Sequence, residues 1–374
     1  MHTSKVAGDG EAIAQMAQHR TGETWLLGAT GRIGRAVSQT LPAAHNGTLV
    51  LVGRNVERLQ AMAATVPTKP RILVTETAAD MAEAITTQRP ALVVNLVGGY
   101  DDSAGTLAEA CLPGGHYVDL ANDPASMTSM LGMNDAAASA GSTFVTSAGF
   151  GVLATEALVV ALCADRSTPT HVQVDAVGSV ATEAGILGEA FAAAIVDSIA
   201  HGGRRYRNGE LVKVGLGSHV QHLQLPDGET ATTGAVPSGE LLAARTATAA
   251  PSILATSALV PTSPLVRVLL PFAAGFLRSQ TLRRILIRRL AGSRTTARPR
   301  PRQHSWGHVL ITWDDGTSRE GWLRCEDAMD YTAAVITAIA ERLAGGDAPA
   351  GAFTPAMAFG PGIAEEAGAE LIMG

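Results

Sequence analysis

The sequence predicts an α/β protein: a Rossmann-type, doubly wound parallel sheet, followed by a second α+β domain with a mixed or antiparallel sheet. Three observations lead to this prediction. A short apolar run, Trp25 to Leu27, leads into glycines at three-residue spacing and then into a helical pattern. Apolar runs alternate with helical segments as far as about residue 165. Beyond that point come strand-like segments, 171–180 and 210–225, with turns at Asn208-Gly209 and Asp227-Gly228.

The first glycine turn has the composition that a dinucleotide needs. The first glycine makes the tight turn, the second lets the backbone approach a pyrophosphate, and the third lets the helix pack on the strand. The helix N-terminus offers N–H groups and a favourable dipole to an anion. A glycine turn without a ligand is the alternative. The predicted cofactor-binding residues here are Gly28, Thr30, Gly31, Arg32, Ile33 and Gly34.

The end of the second predicted strand, 48–52, indicates which dinucleotide is bound. A carboxylate about twenty residues after the glycines would hold a ribose 2′-hydroxyl. This chain has Arg54 there and Arg58 one turn later, with no carboxylate before Glu57. Guanidinium groups suit a 2′-phosphate, which favours NADP(H) over NAD(H). The alternative is that Arg54 is an ordinary surface charge.

The fourth predicted strand, 91–97, adds a second group of cofactor contacts. In an open α/β sheet, ligands lie beyond the carboxyl ends of the strands. Val97, Gly98 and Gly99 stand at such an end, where glycines would let the backbone approach the nicotinamide ribose. Asn95 is expected to hold either this turn or the nicotinamide carboxamide.

Length, charge and cysteine content limit the class of protein. The chain has 374 residues, enough for about two domains. A net charge of −6 gives no reason to expect nucleic acid. Cys111, Cys163 and Cys325 are far apart and form no metal-ligand pair. We therefore expect reduced thiols, no bound metal and a cytoplasmic protein.

The order of the segments predicts the domain organisation. Residues 1–23 are a polar N-terminal arm without a signal peptide. Residues 24–165 are the dinucleotide-binding domain, and 166–325 are the second domain. Residues 326–374 begin with a long helix, predicted over 327–343. No apolar run is long enough to span a bilayer.

Residues 261–302 form an Arg-rich insert in the second domain. The insert contains ten arginines, and no acidic residue occurs between Glu240 and Asp314. Its end, 294–302, alternates arginine with proline and is predicted to be an exposed linker. The insert is either an amphipathic helix that covers the domain, or a surface for a membrane or a lid over an apolar substrate. One helical face of the insert carries Leu282, Ile285, Leu286 and Leu290.

Five short motifs accompany the predicted strands: Gly-Ala-Thr-Gly-Arg-Ile-Gly (28–34), Val-Gly-Arg (52–54), Val-Val-Asn-Leu-Val-Gly-Gly-Tyr (93–100), Ala-Cys-Leu-Pro-Gly-Gly-His-Tyr-Val-Asp-Leu (110–120) and Ser-Ala-Gly-Phe-Gly (147–151). As a set they resemble the saccharopine dehydrogenase-like reductases. The segment Gly-Ala-Phe-Thr-Pro-Ala (351–356) is similar to a motif of the trans-acting enoyl reductase branch. The resemblance implies a substrate role for the second domain and a C-terminal helix, within 326–374, that returns to the Rossmann domain.

The resemblance also implies an activity. Members of that family are commonly NAD(P)-dependent oxidoreductases that act on C=N or activated C=C bonds. An NADPH-dependent reductase of a small or carrier-delivered metabolite, in secondary or lipid metabolism, is therefore expected. The apolar region 251–290 favours an apolar or carrier-delivered substrate. Arg204, Arg205 and Arg207 would instead suit the carboxylate of an amino-acid imine, unless they form a solvated loop.

Two motifs depart from the family pattern. The usual Gly-Pro-Tyr/Phe is Gly98-Gly99-Tyr100 here, and the usual Gly-Phe-Asp is Gly149-Phe150-Gly151. The second departure, together with the acid-free arginine stretch, leaves an alternative of a different class: a nucleotide-sensing or peripheral membrane-binding protein that keeps the fold without turnover. A homodimer is compatible with either function.

Three side chains are candidates for the proton chemistry of a reductase. Tyr100 comes first because its phenol follows the turn on the nicotinamide side; the alternative is an aromatic wall of the pocket. Asp119, inside a strand, either anchors a loop or orients a ligand. Glu156, on an apolar helix, either caps a backbone end or acts as an acid with a raised pKa.

Overall fold

A computed structural model describes residues 20–41, 47–277 and 279–374, and for residues 189 and 190 it describes the backbone alone. Most of the predicted N-terminal arm, residues 1–19, lies outside the described residues. The chain forms two compact units. Among the helices of these ranges, none combines the length and the apolar character that crossing a bilayer requires.

The first unit comprises the described residues up to Ala121, together with Ala125–Gly149 and Thr332–Phe359. Its strands are β1 (Thr21–Leu27), β2 (Leu49–Gly53), β3 (Arg71–Val74), β4 (Pro90–Asn95), β5 (His116–Asp119), β6 (Thr143–Val145) and β17 (Gly351–Phe353). Its helices are α1 (Arg32–Thr40), α2 (Val56–Ala63), α3 (Ala78–Gln88), α4 (Tyr100–Ala110), α5 (Pro124–Leu131), α6 (Asn134–Ser139), most of α12 (Ala328–Ala344) and α13 (Pro355–Phe359).

The strands of the first unit form one parallel sheet in the order β3-β2-β1-β4-β5-β6-β17. The strand order changes direction between β1 and β4, which is where doubly wound sheets bind ligands. Trp25, Val50, Val93 and Phe144 are fully buried, as expected for a parallel sheet covered on both faces. The predicted Rossmann-type sheet is confirmed.

The sheet begins earlier than the sequence predicted. Strand β1 starts at Thr21, before the predicted domain boundary at residue 24. The Arg20 guanidinium donates to the carbonyl oxygens of Pro90 at 2.7 Å and Pro113 at 2.8 Å, and also to that of Cys111. Residues 20–23 therefore belong to the first unit and not to a separate arm, because these bonds fix the chain before its apolar run starts.

The second unit comprises Asn122–Pro124, Phe150–Tyr331 and Gly360–Gly374. Its strands are β7 (His171–Val177), β8 (Gly185–Ile186), β9 (Gly203–Arg207), β10 (Glu210–Val214), β11 (Gln221–Gln224), β12 (Thr230–Ala235), β13 (Ser252–Ser257), β14 (Arg294–Thr295), β15 (Ser305–Thr312), β16 (Ser318–Cys325) and β18 (Glu370–Met373). Its helices are α7 (Phe150–Cys163), α8 (Glu189–His201), α9 (Glu240–Thr248), α10 (Pro264–Phe276), α11 (Gln280–Ala291) and α14 (Ile363–Glu366). The first residues of α12 also belong to this unit.

A mixed sheet forms the framework of the second unit. Its order is β10-β9-β13-β7-β15-β16-β18, with β12 paired to β13 and β11 to β12. The β13–β7 pair is parallel, and the other pairs are antiparallel. Trp306 packs with Val177, Leu225 and Ala231 in a buried cluster. The predicted second α+β domain with a mixed sheet is confirmed.

The boundaries of the two units differ from the predicted ones. Helix α7 lies within the predicted range 24–165 but belongs to the second unit, because its apolar surface packs on β7, β15 and β16. The C-terminal segment is divided between the units. Residues 332–359 return to the first unit, where β17 pairs with β6. Residues 360–374 belong to the second unit, where β18 pairs with β16.

The predicted insert, 261–302, contains two helices rather than one helix and a linker. Helices α10 and α11 both pack on α8. The Arg-Pro segment is not a free linker, since β14 pairs with β8 and the backbone of Arg298 bonds to that of Thr182 in both directions. These pairings bring together residues more than 100 positions apart, which the local composition could not predict.

Candidate active site

The glycine turn of the first unit is tight, and α1 packs closely on it. Gly28 has a φ of +78°, and a Cβ placed there would lie 3.0 Å from the backbone of Leu96. A Cβ on Gly34 would lie 2.5 Å from the Gly28 carbonyl oxygen, so α1 packs directly on the turn. Gly31 is exposed, and its N–H donates to the Gly28 carbonyl at 3.0 Å. The absence of side chains leaves the turn open to a ligand.

The helix after this turn has an N-terminus suited to an anion. Gly31 is the N-cap of α1, and within the described residues no side chain caps this end. The first turn also contains no acidic residue that would oppose a phosphate. Thr30, Arg32 and Ile33 are all half-buried around this end. The nine-residue helix therefore directs its dipole and its first N–H groups at the point where a pyrophosphate would bind.

The end of β2 presents two exposed arginines. Arg54 follows the last residue of the strand, and Arg58 lies in the first turn of α2. Asn55 caps that helix by accepting the Arg58 backbone N–H at 2.8 Å. Neither guanidinium has an ion-pair partner among the residues that the structure describes. Both charges are therefore available to a phosphate ester.

Asn95 holds the turn after β4, the first of its two predicted roles. Its Oδ1 accepts the Val97 N–H at 3.0 Å, and its Nδ2 donates to the Tyr117 hydroxyl at 2.8 Å. Asn95 is fully buried, and both its Oδ1 and its Nδ2 form hydrogen bonds within the protein. Val97 is also adjacent to the first glycine turn, because its Cγ2 lies 3.3 Å from the position of a Cβ on Gly28.

The turn after β4 continues directly into a helix. Gly99, with a φ of +82°, is the N-cap of α4, and a Cβ there would meet no atom within 4 Å. Gly98 is half-buried and Gly99 exposed, so the backbone of this turn is accessible. Tyr100 is therefore the first residue of α4 and not a residue of the turn itself.

Tyr100 and Asp119 come together in the first unit. Asp119 lies at the carboxyl end of β5, and its Oδ1 accepts the Thr146 hydroxyl at 2.7 Å and the N–H groups of Ala121 and Ser147. Its Oδ2 has no hydrogen-bond partner among the described residues. Burial raises the pKa of Asp119 despite these bonds. Burial, with a smaller contribution from Asp119, raises the pKa of Tyr100, which therefore keeps its proton at neutral pH.

Ser147 begins the motif 147–151 at the end of a predicted strand, but the sequence assigns it no individual role. It follows β6 with a φ of +64°, a conformation that serine rarely adopts. Its Oγ is buried and has no hydrogen-bond partner within the described part of the chain. Strained backbone and unpaired buried polar atoms are concentrated at functional sites. Ser147 Oγ and Asp119 Oδ2 are thus two polar atoms of one unit that a ligand or a water molecule would satisfy.

Glu156 belongs to the second unit, unlike the other two catalytic candidates. It is buried within α7. A second buried carboxyl group there, Glu240, was missed by the sequence reasoning. A Cβ on Gly151 would lie 2.3 Å from Glu240 Oε1, and burial raises the pKa of Glu240. Glu240 therefore occupies the space beside the position where the Gly-Phe-Asp motif would carry its aspartate.

The predicted arginine clamp does not form as a cluster. Arg204, Arg205 and Arg207 lie on β9, where successive side chains point to opposite faces of the sheet. Arg205 bonds to His219 Nε2 at 3.0 Å and to the Ser252 hydroxyl at 3.4 Å. The three guanidinium groups are thus not placed to grip one carboxylate, and they do not form a loop either.

Comparisons with known proteins support the fold. No protein-family model and no curated protein matches the chain. Apo saccharopine dehydrogenase (L-Glu forming) from Saccharomyces cerevisiae is similar over 94% of this chain and 100% of its own, with a TM-score of 0.60 and 11% identity. Serine dehydrogenase from Escherichia coli matches 33% of this chain and 80% of its own, with a TM-score of 0.27 and 15% identity. The first likeness shows a saccharopine dehydrogenase-like fold over nearly the whole chain; the second is too slight to carry an argument.

Proposed function

We propose that the protein is an NADPH-dependent oxidoreductase that reduces a C=N or activated C=C bond of a small or carrier-delivered metabolite. The observation that carries the proposal is the turn from Gly28 to Gly34. Gly28 has a positive φ, Gly34 lets α1 pack closely on the turn, and no side chain caps the N-terminus of α1 among the described residues. These are the features that a pyrophosphate site requires. The likeness to saccharopine dehydrogenase supports the same class of reaction.

Each end of the cofactor has residues suited to it in the first unit. The N-terminus of α1 would hold the pyrophosphate, and Arg54 and Arg58 would hold the 2′-phosphate. Val97, Gly98 and Gly99 would lie beside the nicotinamide ribose. When bound, the dihydronicotinamide supplies the hydride. The protein must then fix the acceptor carbon within reach, exclude water and provide a proton.

Tyr100 is proposed as the proton donor. Its raised pKa keeps the phenol protonated at neutral pH, which a donor requires. Asp119 would orient the phenol or the acceptor group through its unpaired Oδ2. Glu156 remains a candidate from the second unit. Two observations favour different bonds as the one that is reduced. The likeness to a saccharopine dehydrogenase over nearly the whole chain favours a C=N bond. The apolar region 251–290 and the motif at 351–356 favour the C=C bond of an enoyl substrate.

The cofactor is tested by titrating the protein with NADPH and with NADH, before and after Arg54→Gln. The loss of a charge-assisted bond to a phosphate weakens binding by roughly 10- to 100-fold. We expect that loss for NADPH and no change for NADH. Arg342→Gln, which alters a half-buried arginine of the same unit that pairs with Asp347, serves as the control. Tighter binding of NADH by the unaltered protein, or unchanged NADPH affinity in Arg54→Gln, would contradict the 2′-phosphate role.

The alternative, nucleotide binding without turnover, is favoured by one observation: Gly151 replaces the aspartate of the Gly-Phe-Asp motif. Consumption of NADPH with a panel of cyclic imines and enoyl thioesters separates the two functions. Tight NADPH binding with no consumption over the whole panel supports the alternative.

A further inference from the structure

Helix α10 of the second unit exposes its most apolar face to solvent. The side chains on this face, which we name the apolar stripe, are each between 65% and 80% exposed. Their spacing is that of one face of a helix. In soluble proteins such a face is normally turned inward, so an exposed one indicates an interaction site. The apolar stripe consists of Leu265, Val268, Leu269, Phe272 and Phe276.

The opposite face of α10 attaches the helix to the second unit. Arg267 lies on that face and donates to the Gly217 carbonyl at 3.4 Å. Leu277, just after the helix, is buried. The helix packs on α8, as does α11, which is tied to α8 by the ion pair between Arg283 and Asp197 at 2.7 Å. The apolar stripe is therefore held outward by specific contacts.

The chain around the apolar stripe is strongly basic. No acidic residue occurs between Glu240 and Asp314, so any charge in this region is positive. Several guanidinium groups after α10 are exposed and have no ion-pair partner among the described residues. They belong to Arg284, Arg288, Arg289, Arg294 and Arg298. An apolar face with basic residues beside it is the pattern of helices that lie in the interface of an anionic membrane.

We propose that α10 and α11 form a docking surface for an anionic lipid bilayer. The apolar stripe would enter the boundary between headgroups and acyl chains, and the exposed arginines would contact anionic headgroups. Helix α10 has 13 residues, about 20 Å at 1.5 Å per residue, which suits a helix lying in the interface.

A second copy of this chain fits the surface less well. A twofold interface places the same patch on both partners. The arginines of α11 and β14 would then face the same arginines of the second copy, and like charges brought together oppose association. An anionic bilayer instead supplies the missing negative charge.

The proposal is tested by co-sedimentation of the full chain with vesicles. Phosphatidylcholine vesicles with about one third phosphatidylserine are compared with phosphatidylcholine alone, each at low and high salt. We expect binding to the anionic vesicles that weakens with salt. Phe272→Asp should abolish it, because a charge at this position cannot enter the acyl boundary. The matched control is Leu211→Asp, which alters an exposed apolar residue of β10 and should bind as the unaltered chain does.

The contribution of the arginines to vesicle binding is measured with a separate pair of variants. Arg284→Gln with Arg288→Gln should weaken binding by roughly 30-fold, since each arginine near an anionic surface contributes about a factor of five. Arg207→Gln with Lys213→Gln removes the same charge from β9 and β10 and should leave binding nearly unchanged. Thermal melts of every variant show that it is folded.

Three outcomes would overturn the proposal. One is the absence of binding to either kind of vesicle by the folded chain. Another is unchanged binding by Phe272→Asp. The third is a dimer of the unaltered chain, lost in Phe272→Asp, without lipid binding, since the apolar stripe would then be an interface between copies. None of these outcomes depends on whether the protein binds NADPH.

Discussion

At the scale of single residues, Asp119 carries the clearest electrostatic signature of the candidate site. One carboxylate oxygen accepts three hydrogen bonds, while the other is buried without a partner among the described residues. The bonds favour the ionised form, and the loss of hydration disfavours it. Burial dominates, and the pKa of Asp119 is raised. A carboxyl group held in this state is able to exchange a proton with a ligand.

This raised pKa predicts a pH dependence of stability. The unfolded aspartate ionises near pH 4, whereas the folded one keeps its proton to higher pH. The free energy of unfolding that Asp119 contributes is therefore fully present below about pH 4, and falls as the pH rises through the folded pKa. It falls by about 1.4 kcal/mol for each pH unit within that window. Asp119→Asn does not titrate, so urea unfolding from pH 4 to 8 should show the unaltered protein losing stability relative to the variant.

Asp102→Asn, at an exposed carboxylate of the same unit, is the control for the change from Asp to Asn itself. If the profiles of Asp119→Asn and of the unaltered chain are parallel, then Asp119 is ionised in the folded protein as readily as in water, and its proposed role in the site loses its basis.

At the scale of elements, the sequence located most helices and strands of the first unit but not their ends. The third strand, Arg71–Val74, is one of the short runs that alternate with helical segments in this part of the sequence. Between β5 and β6 the chain forms two helices, α5 and α6, which end and begin on either side of Gly132 although the sequence between them contains no proline. Propensity and periodicity identify an element, whereas its ends depend on caps and on contacts with other elements. The packing of α1 on the glycine turn, by contrast, follows from spacing alone.

This packing predicts opposite effects for two glycine substitutions. In Gly34→Ala the new Cβ would lie 2.5 Å from the Gly28 carbonyl oxygen and 2.7 Å from the Ala29 backbone, so the helix must shift. We expect a loss of about 1–3 kcal/mol in the free energy of unfolding. In Gly105→Ala, inside α4, the nearest atom is Ser129 Oγ at 3.9 Å. Here we expect a gain of about 1 kcal/mol, because alanine favours a helix interior.

Urea unfolding of both variants measures the two effects on the same scale. If Gly34→Ala loses no stability, α1 does not pack on the turn as described. A loss in Gly105→Ala would instead show that its site has no room for a methyl group.

At the scale of the whole molecule, the three cysteines report on folding. They are free thiols, with Cys111 and Cys325 buried and Cys163 half-buried. Burial raises the pKa of Cys163 to about 11 and that of Cys111 to about 12, and it also raises the pKa of Cys325. Because the thiolate is the reactive form, the folded protein should react slowly with a thiol reagent near pH 8.

The measurement is the rate of labelling by an aromatic disulfide reagent, with and without denaturant. All three thiols should react at once in denaturant, whereas the folded chain should react slowly, with Cys163 first. Cys163→Ser identifies that first phase. A rapid phase in the folded chain that survives this substitution would show that a buried cysteine is exposed by local opening.

The sequence by itself determined the Rossmann-type sheet, the glycine turn and the two exposed arginines after β2. Each rests on a local requirement: a glycine where φ is positive, an apolar run where a strand is covered on both faces, a helix start beside a turn. Only the tertiary structure decided the unpaired oxygen of Asp119 and the buried Glu240 beside Gly151. It also decided that 150–165 belong to the second unit, that 326–374 are divided between the units, and that the apolar face of α10 points outward. The physical reason is that burial and hydrogen-bond partners depend on residues far apart in the chain, whose approach no local pattern encodes.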